Sequence, residues 1–271
     1  MHKKLLTGLT IAILAAVLVP SVAFAGSLTT GSVLGADGQP ALAQLETQAE
    51  KTTVYVLTKF GDDLMRYNKN GLVTKRSKGF LGTWTYRYSG TKISSIKVSN
   101  NSGSTRSITL SYDKKGRLKV VDSNGAASYD AYKETYEYDA KGRVKNSKKV
   151  STIDGTTTTA KYAYDSKGRL KKVVTSENEL QEFSYDSRGN NSIAHFGPAN
   201  GAGFNRYFMF KYRYKNGHPI ERSQTMNGAG GGKAYKDKLK YKRIRIPKKY
   251  VAQVKMQQRV LLGNPNPAII L

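Results

Sequence analysis

Two histidines follow residue 25, His195 in SIAHFGP and His218 in KNGHPI, and neither has a second ligand or a nucleophile at metal or triad spacing. His195 is expected at a strand end and His218 in a solvated turn. With a basic surface the pair would suit a ribonuclease only if folding joined them. Four aspartates, Asp113, Asp139, Asp165 and Asp186, recur in one sequence context. They could line a row of cation or sugar contacts, but an aspartate opening a turn is more simply its cap. The run NGAGGG lacks the Gly-Lys-Ser/Thr ending of a phosphate loop. What remains is binding without bond making, with no cofactor and no metal called for. The candidate groups are cations: Lys238, Lys240, Lys242, Arg243, Arg245, Lys248 and Lys249. The reading is of a protein that is not an enzyme.

Charge supports that emphasis. The 271-residue chain carries 45 Lys and Arg against 19 acids, a formal +26. Such a balance suits polyanionic surroundings: cell-wall polymers, acidic lipid surfaces or nucleic acid. From residue 198 onward sixteen basic residues face two acids, Glu221 and Asp237, which puts +14 in the last quarter. The N-terminus reads as an export signal. Lys3 and Lys4 precede an apolar run from Leu5 to Val19, and Ala23-Phe24-Ala25 supplies small residues before a cut after Ala25. That run is too short to span a bilayer comfortably, so the mature chain is expected to be secreted or envelope-associated with no transmembrane anchor. Cysteine is absent, so burial and hydrogen bonding must supply stability.

The elements that would position the cations come from a repeat. Tyrosine, a polar residue, glycine four positions after the tyrosine and an apolar residue two further on recur from Tyr67 (YNKNGLV), Tyr112, Tyr138, Tyr164 and Tyr185, the last with no apolar residue at that place. Worn copies begin at Tyr88 and Tyr214. The tyrosines step by 21, 24, 26, 26, 21 and 29 residues, the length of two short strands and two turns. Tyr136 with Tyr138, and Tyr162 with Tyr164, share a strand face by period-2 alternation. Aspartate then caps a turn, and glycine takes the left-handed conformation that closes a type I turn with a G1 bulge. The turn residues are Tyr112, Asp113, Gly116; Tyr138, Asp139, Gly142; Tyr164, Asp165, Gly168; and Tyr185, Asp186, Gly189. The motif tyrosines read as cross-strand packing rather than a stacking platform for sugars or bases. For Tyr235, Tyr241 and Tyr250, in the most basic region, the two readings stand level.

The string Y-D-x-x-G-R-L, with an aromatic two residues before the tyrosine, resembles the YD repeat of Rhs and teneurin-type proteins over roughly residues 67–220. It is also similar to small secreted bacterial YD-like proteins. In large members dozens of repeats wind into a closed β-shell; about seven copies imply the sheet and not the cocoon. The family's repeats carry no catalytic residues, so the resemblance transfers none.

The expected architecture is all-β: an antiparallel meander of repeated hairpins in a twisted or curved sheet, with a short C-terminal helix. The expected order is signal peptide 1–25, leader 26–51 with a short helix over 40–51, hairpin domain 52–226, and basic segment 227–271. In that last segment KLKYKRIRI is a strand, Lys248 to Leu262 a helix stopped by Gly263, and NPNPAIIL extended. The function read from this is an exported binding or scaffolding module at the cell envelope, engaging anionic or carbohydrate polymers. The alternatives are a secreted effector or hydrolase using the basic C-terminal segment, and a cationic nucleic-acid binder.

Overall fold

The computed structural model describes residues 50–126, 130–203, 205–227 and 234–267. The signal peptide, the leader up to residue 49, most of the glycine-rich run and the last four residues lie outside them. Sixteen strands follow in chain order: β1 (Lys51–Phe60), β2 (Asp63–Tyr67), β3 (Val73–Lys78), β4 (Thr83–Ser89), β5 (Lys92–Ser99), β6 (Thr105–Tyr112), β7 (Leu118–Asn124) and β8 (Tyr132–Tyr138). Then come β9 (Val144–Ser151), β10 (Thr157–Tyr164), β11 (Leu170–Thr175), β12 (Glu179–Tyr185), β13 (Asn191–Pro198), β14 (Arg206–Lys215), β15 (His218–Asn227) and β16 (Tyr235–Pro247). A 3-10 turn at Lys248–Tyr250 leads into the helix α1 (Val251–Leu261). Lys51, placed in the leader by the sequence, is the first residue of β1.

Each strand pairs antiparallel with its sequence neighbour, and β1 pairs with β16. The meander therefore closes into a barrel, a step beyond the curved sheet expected. Closure leaves no free pair of sheet edges along the wall. β16 belongs to the same sheet as β1 to β15, so the basic C-terminal strand is a stave of the barrel.

Alternation sets the faces. In β6 the exposed residues are Thr105, Ser107, Thr109 and Ser111, while Ile108 is buried. In β10 Thr157, Thr159, Lys161 and Ala163 are exposed and Ala160 is buried. Polar residues form the outer wall and apolar ones fill the inside, where one cluster runs from β1 to β9, β16 and α1 through Leu57, Ile96, Leu118, Val121, Val144 and Leu261. A second, Leu170, Val173, Phe183 and Ala194, lies under β10 to β14.

All seven tyrosine-led turns fall at one end of the barrel, the turn end, because each joins an even strand to the next odd one. Seven register shifts, one at each of Tyr67, Tyr88, Tyr112, Tyr138, Tyr164, Tyr185 and Tyr214, mark where the bulge consumes a residue. The worn copies use two-residue turns instead. At β14–β15 Asn216 (φ 49°) and Gly217 (φ 77°) are both left-handed, as a type I′ turn requires. β1 leaves the wall at Thr58. Beyond Lys59 it pairs with β16 alone, so residues 51–57 and 241–247 form a two-stranded ribbon at the turn end. Helix α1 packs on it through Val254, which meets Val54, Val56, Leu72 and Ile246.

Candidate polyanion-binding wall and the ring of turns

The three regular turns have one construction. In the first, Asp113 Oδ1 accepts the N–H of Lys115 (2.9 Å) and of Arg117 (2.8 Å), while Oδ2 takes Arg117 Nε and Nη2, both at 2.7 Å. Gly116 closes the turn at φ 78° by donating to the Asp113 carbonyl at 2.8 Å. Partial burial pulls the Asp113 carboxyl upward, but the Arg117 N–H and guanidinium and the Lys115 N–H outweigh it, leaving it below its ordinary value. Asp139 with Arg143 and Asp165 with Arg169 repeat the arrangement.

The arginine and the apolar residue of one copy hold the tyrosine of the next. Tyr138 donates its hydroxyl proton to the Leu118 carbonyl (2.5 Å), with the Arg117 guanidinium 4.2 Å above its ring. Tyr164 does the same on Val144 (2.8 Å) and Arg143, and Tyr185 on Leu170 (2.6 Å) and Arg169. Burial raises these phenols first of all, with nearby guanidinium groups opposing it. Every letter of the motif is thus engaged: aspartate holds the turn and the arginine, arginine and carbonyl hold the next tyrosine, and the apolar residue enters the core. These tyrosines are packing groups, not a free stacking face.

The C-terminal segment reaches the array at two places, the first copy and the irregular Tyr185 copy. Tyr67 has no preceding copy; its hydroxyl donates to the Leu57 carbonyl and accepts from Gln258 Nε2 at 3.2 Å. The Leu57 N–H donates to Gln258 Oε1 (2.6 Å). Gln257, fully buried, accepts the Val73 N–H (3.1 Å) and donates to the Tyr88 hydroxyl (2.9 Å). In the Tyr185 copy Asn190 stands where the motif has arginine, and its Nδ2 donates to the Tyr214 hydroxyl of the next copy at 2.6 Å. There Asn264 Oδ1 takes the Asn191 N–H (2.6 Å), and Asn264 Nδ2 donates to Asn190 Oδ1 (3.3 Å). Sequence reasoning missed these three amides; two consecutive glutamines between Val254 and Leu261, the residues of the apolar helix face, were the available signal.

The candidate cations sit on the seam. Lys238, Lys240 and Lys242 alternate with Leu239 and Tyr241 and are exposed on the outer wall. Lys240 stands directly opposite Lys59 of β1, a like-charged cross-strand pair. Arg243 and Arg245 are exposed on the other face of the ribbon, so the structure does not gather the seven into one surface. Lys248 pairs with Glu50 at 2.5 Å and Lys249 lies 5.5 Å over the Tyr250 ring. Tyr235 is exposed, while the Tyr241 ring joins the core and burial raises its phenol.

The histidines stay apart on β13 and β15. His195 lies within β13 rather than at its end; Nδ1 is 3.3 Å from Glu182 Oε2, Nε2 is 2.9 Å from Asn205 Oδ1, and the ring stacks on Tyr207 at 4.2 Å. His218 opens β15, half-buried between Tyr55 (4.6 Å) and Tyr241 (5.5 Å). Inside the barrel, away from the turns, Lys78 lies 4.4 Å over Trp84, and burial followed by the Arg76 charge pushes it down to about 8. Glu134 faces Lys149 across β8–β9, its carboxyl raised by burial. Among the described residues no group of three or more His, Cys, Asp or Glu could hold a metal ion.

In the middle of this closed meander three successive turns, at Asp113, Asp139 and Asp165, each grip the tyrosine of the next copy. Residues 92–197 match the family described as the teneurin YD-shell, and that stretch is similar to the YD repeats of its members. No curated protein matches it significantly. Among solved structures it is similar to the TcdB2-TccC3-Cdc42 structure at 13% identity and TM-score 0.31, over 64% of this chain and 9% of that one. This chain therefore spans only a small part of that one. It is also similar to a porin-like protein from Bacteroides vulgatus ATCC 8482 at 14% identity and TM-score 0.46, over 69% of this chain and 99% of that chain.

Proposed function

We propose that the protein is an exported, non-enzymatic binding module of the cell envelope that engages anionic polymers through its outer wall. The carrying observation is the lysine row of β16. Lys238, Lys240 and Lys242 point outward, none has an ion-pair partner among the described residues, and Lys240 opposes Lys59. Like charges placed directly opposite cost stability unless a counter-charge sits over them. A polymer with regularly spaced anions supplies that counter-charge and releases condensed counterions as it binds. The motif tyrosines and aspartates are already engaged in the turns, which favours charge over ring stacking as the means of contact. A membrane pore is disfavoured, because a membrane barrel carries an apolar outer band and this wall presents Thr, Ser and Lys.

The test is titration of the mature protein with a poly(glycerol phosphate) polymer across a salt series. Affinity should fall steeply with salt, and the triple variant Lys238→Gln, Lys240→Gln, Lys242→Gln should bind at least ~tenfold more weakly with a shallower slope. Unchanged affinity in a variant that melts like the parent would move the contact to another face.

A further inference from the structure

β16 pairs with β1 over residues 239–247 on one side and with β15 over residues 235–238 alone on the other. The Lys238 carbonyl accepts from the Gly61 N–H (3.1 Å), the Lys240 carbonyl from the Thr58 hydroxyl (3.1 Å), and the Lys248 N–H donates to Glu50 (2.9 Å). Even-numbered residues of β16 therefore turn their main chain toward β1, and odd-numbered ones turn it away. On that far side β15 pairs with residues 235–238 and stops. The stretch of β15 that would continue is His218-Pro219-Ile220, in which Pro219 has no N–H to offer. The ribbon then runs past the ring of turns. Arg243 and Arg245 have exposed side chains, and their outward N–H and C=O groups meet no partner among the described residues.

We propose that this edge, Arg243 to Arg245, accepts an extended acidic peptide by strand addition. An unpaired strand edge supplies main-chain bonds, and alternate side chains supply selection. Residues of the guest opposite Arg243 and Arg245 lie beside two guanidinium groups and the exposed Tyr55 ring, the cross-strand partner of Arg243, so they are acidic. The guest residue between them lies beside Ile244 and is apolar. The pattern Glu-apolar-Glu follows. A second copy of this chain is a poor occupant, because pairing edge to edge would set the arginines of both copies against each other. The proposal is independent of the lysine wall, since a polyphosphate has no amides to offer.

The probe is a labelled (Glu-Val)4 peptide, titrated against the mature protein by fluorescence anisotropy. Two further peptides carry backbone N-methyl groups on all glutamates or on all valines. An added strand bonds its host through alternate residues only, so one methylated peptide should lose at least ~tenfold in affinity while the other stays within about threefold. Arg245→Pro, which deletes an outward donor at an edge position that tolerates proline, should weaken the parent peptide by a similar factor. No binding of (Glu-Val)4, or equal binding of both methylated peptides, would overturn strand addition.

Discussion

The hairpins of β6 to β11 and the seam made by β1, β16 and α1 are held in opposite ways. In the hairpins each contact joins residues about 20 apart, as Tyr138 to Leu118 and Tyr164 to Val144. At the seam Leu57 meets Gln258 across 201 residues and Val73 meets Gln257 across 184. A repeat can carry its own assembly instructions, because the copy before supplies the acceptor. The first copy has no copy before it, and the Tyr185 copy has Asn190 and Asn191 in place of the arginine and the apolar residue; at both the chain brings in amide side chains from elsewhere. The first of these is the cap that a terminal unit of a repeat array needs.

Ending the chain after Asn227 tests the contrast most severely. It removes β16 and α1, leaves β1 and β15 unpaired on one side, and strips the partners from Leu57, Val73 and Asn191. The expected result is loss of the cooperative thermal transition by circular dichroism. A truncated chain that still melts sharply would show the hairpins to be self-sufficient and the seam ornamental.

Alkali should act next most strongly, because buried tyrosines occur in both regions. Burial pushes Tyr112 and Tyr132 up to about 12, and it raises Tyr241 of β16 at the seam as well. A phenol raised above its ordinary value of about 10 stabilises the fold fully below that value and loses the contribution as pH climbs through 12. Lys78 has the reverse sign: pushed down to about 8, it penalises the fold below pH 8, and the penalty fades as pH approaches about 10.5. Urea midpoints should therefore hold or rise slightly from pH 8 to 10 and then fall. A monotonic fall starting at pH 8 would contradict the burial of Lys78.

Single amides at the seam come third. Gln257→Leu keeps the volume but leaves the buried Val73 N–H without an acceptor, while the Tyr88 hydroxyl loses a donor and keeps the Val73 carbonyl, at a cost of about 1–3 kcal/mol. Gln258→Leu should cost somewhat less, since its site is only partly buried. Losses below about 0.5 kcal/mol at both, from denaturant unfolding, would mean that burial of Val254 and Leu261 alone seats the helix.

How much of this was legible in the sequence follows the same division. The hairpins could be read because glycine four residues after a tyrosine, with aspartate between them, specifies a turn from residue types alone. The row Lys238, Lys240, Lys242 could be read because strand alternation is strictly local. Closure could not: nothing in KTTVYVLTKF names YKDKLKYKRIRIP as its partner, and the Thr58 bulge that frees the ribbon has no residue signature. Arg243 and Arg245 look like a continuation of the lysine row until the ribbon is seen to expose both faces. Nothing local named the partners of the α1 glutamines either, because only the absence of a copy before Tyr67 gives Gln258 its work, and Gln257 adds a donor to a Tyr88 hydroxyl already held by the Val73 carbonyl.

The finest test of the contrast lies within one repeat. Arg143 does two things at once: its Nε and Nη2 both reach Asp139 Oδ2, at 2.8 and 2.6 Å, and its guanidinium plane lies 4.6 Å from the Tyr164 ring centroid. Lysine keeps the charge but has neither the fork nor the plane, so Arg143→Lys should cost about 0.5–1 kcal/mol. If the link between copies matters, the loss should spread in one direction only. Amide exchange should quicken in β10, where Tyr164 is held, and hardly change in β6, which lies two strands before Arg143. The same change at the seam, Arg245→Lys, touches no neighbouring copy and should leave stability within a few tenths of a kcal/mol. Equal small losses at both positions would reduce the arginine to a surface charge, and the coupling between copies would then rest on the Tyr164 hydroxyl and the Val144 carbonyl alone.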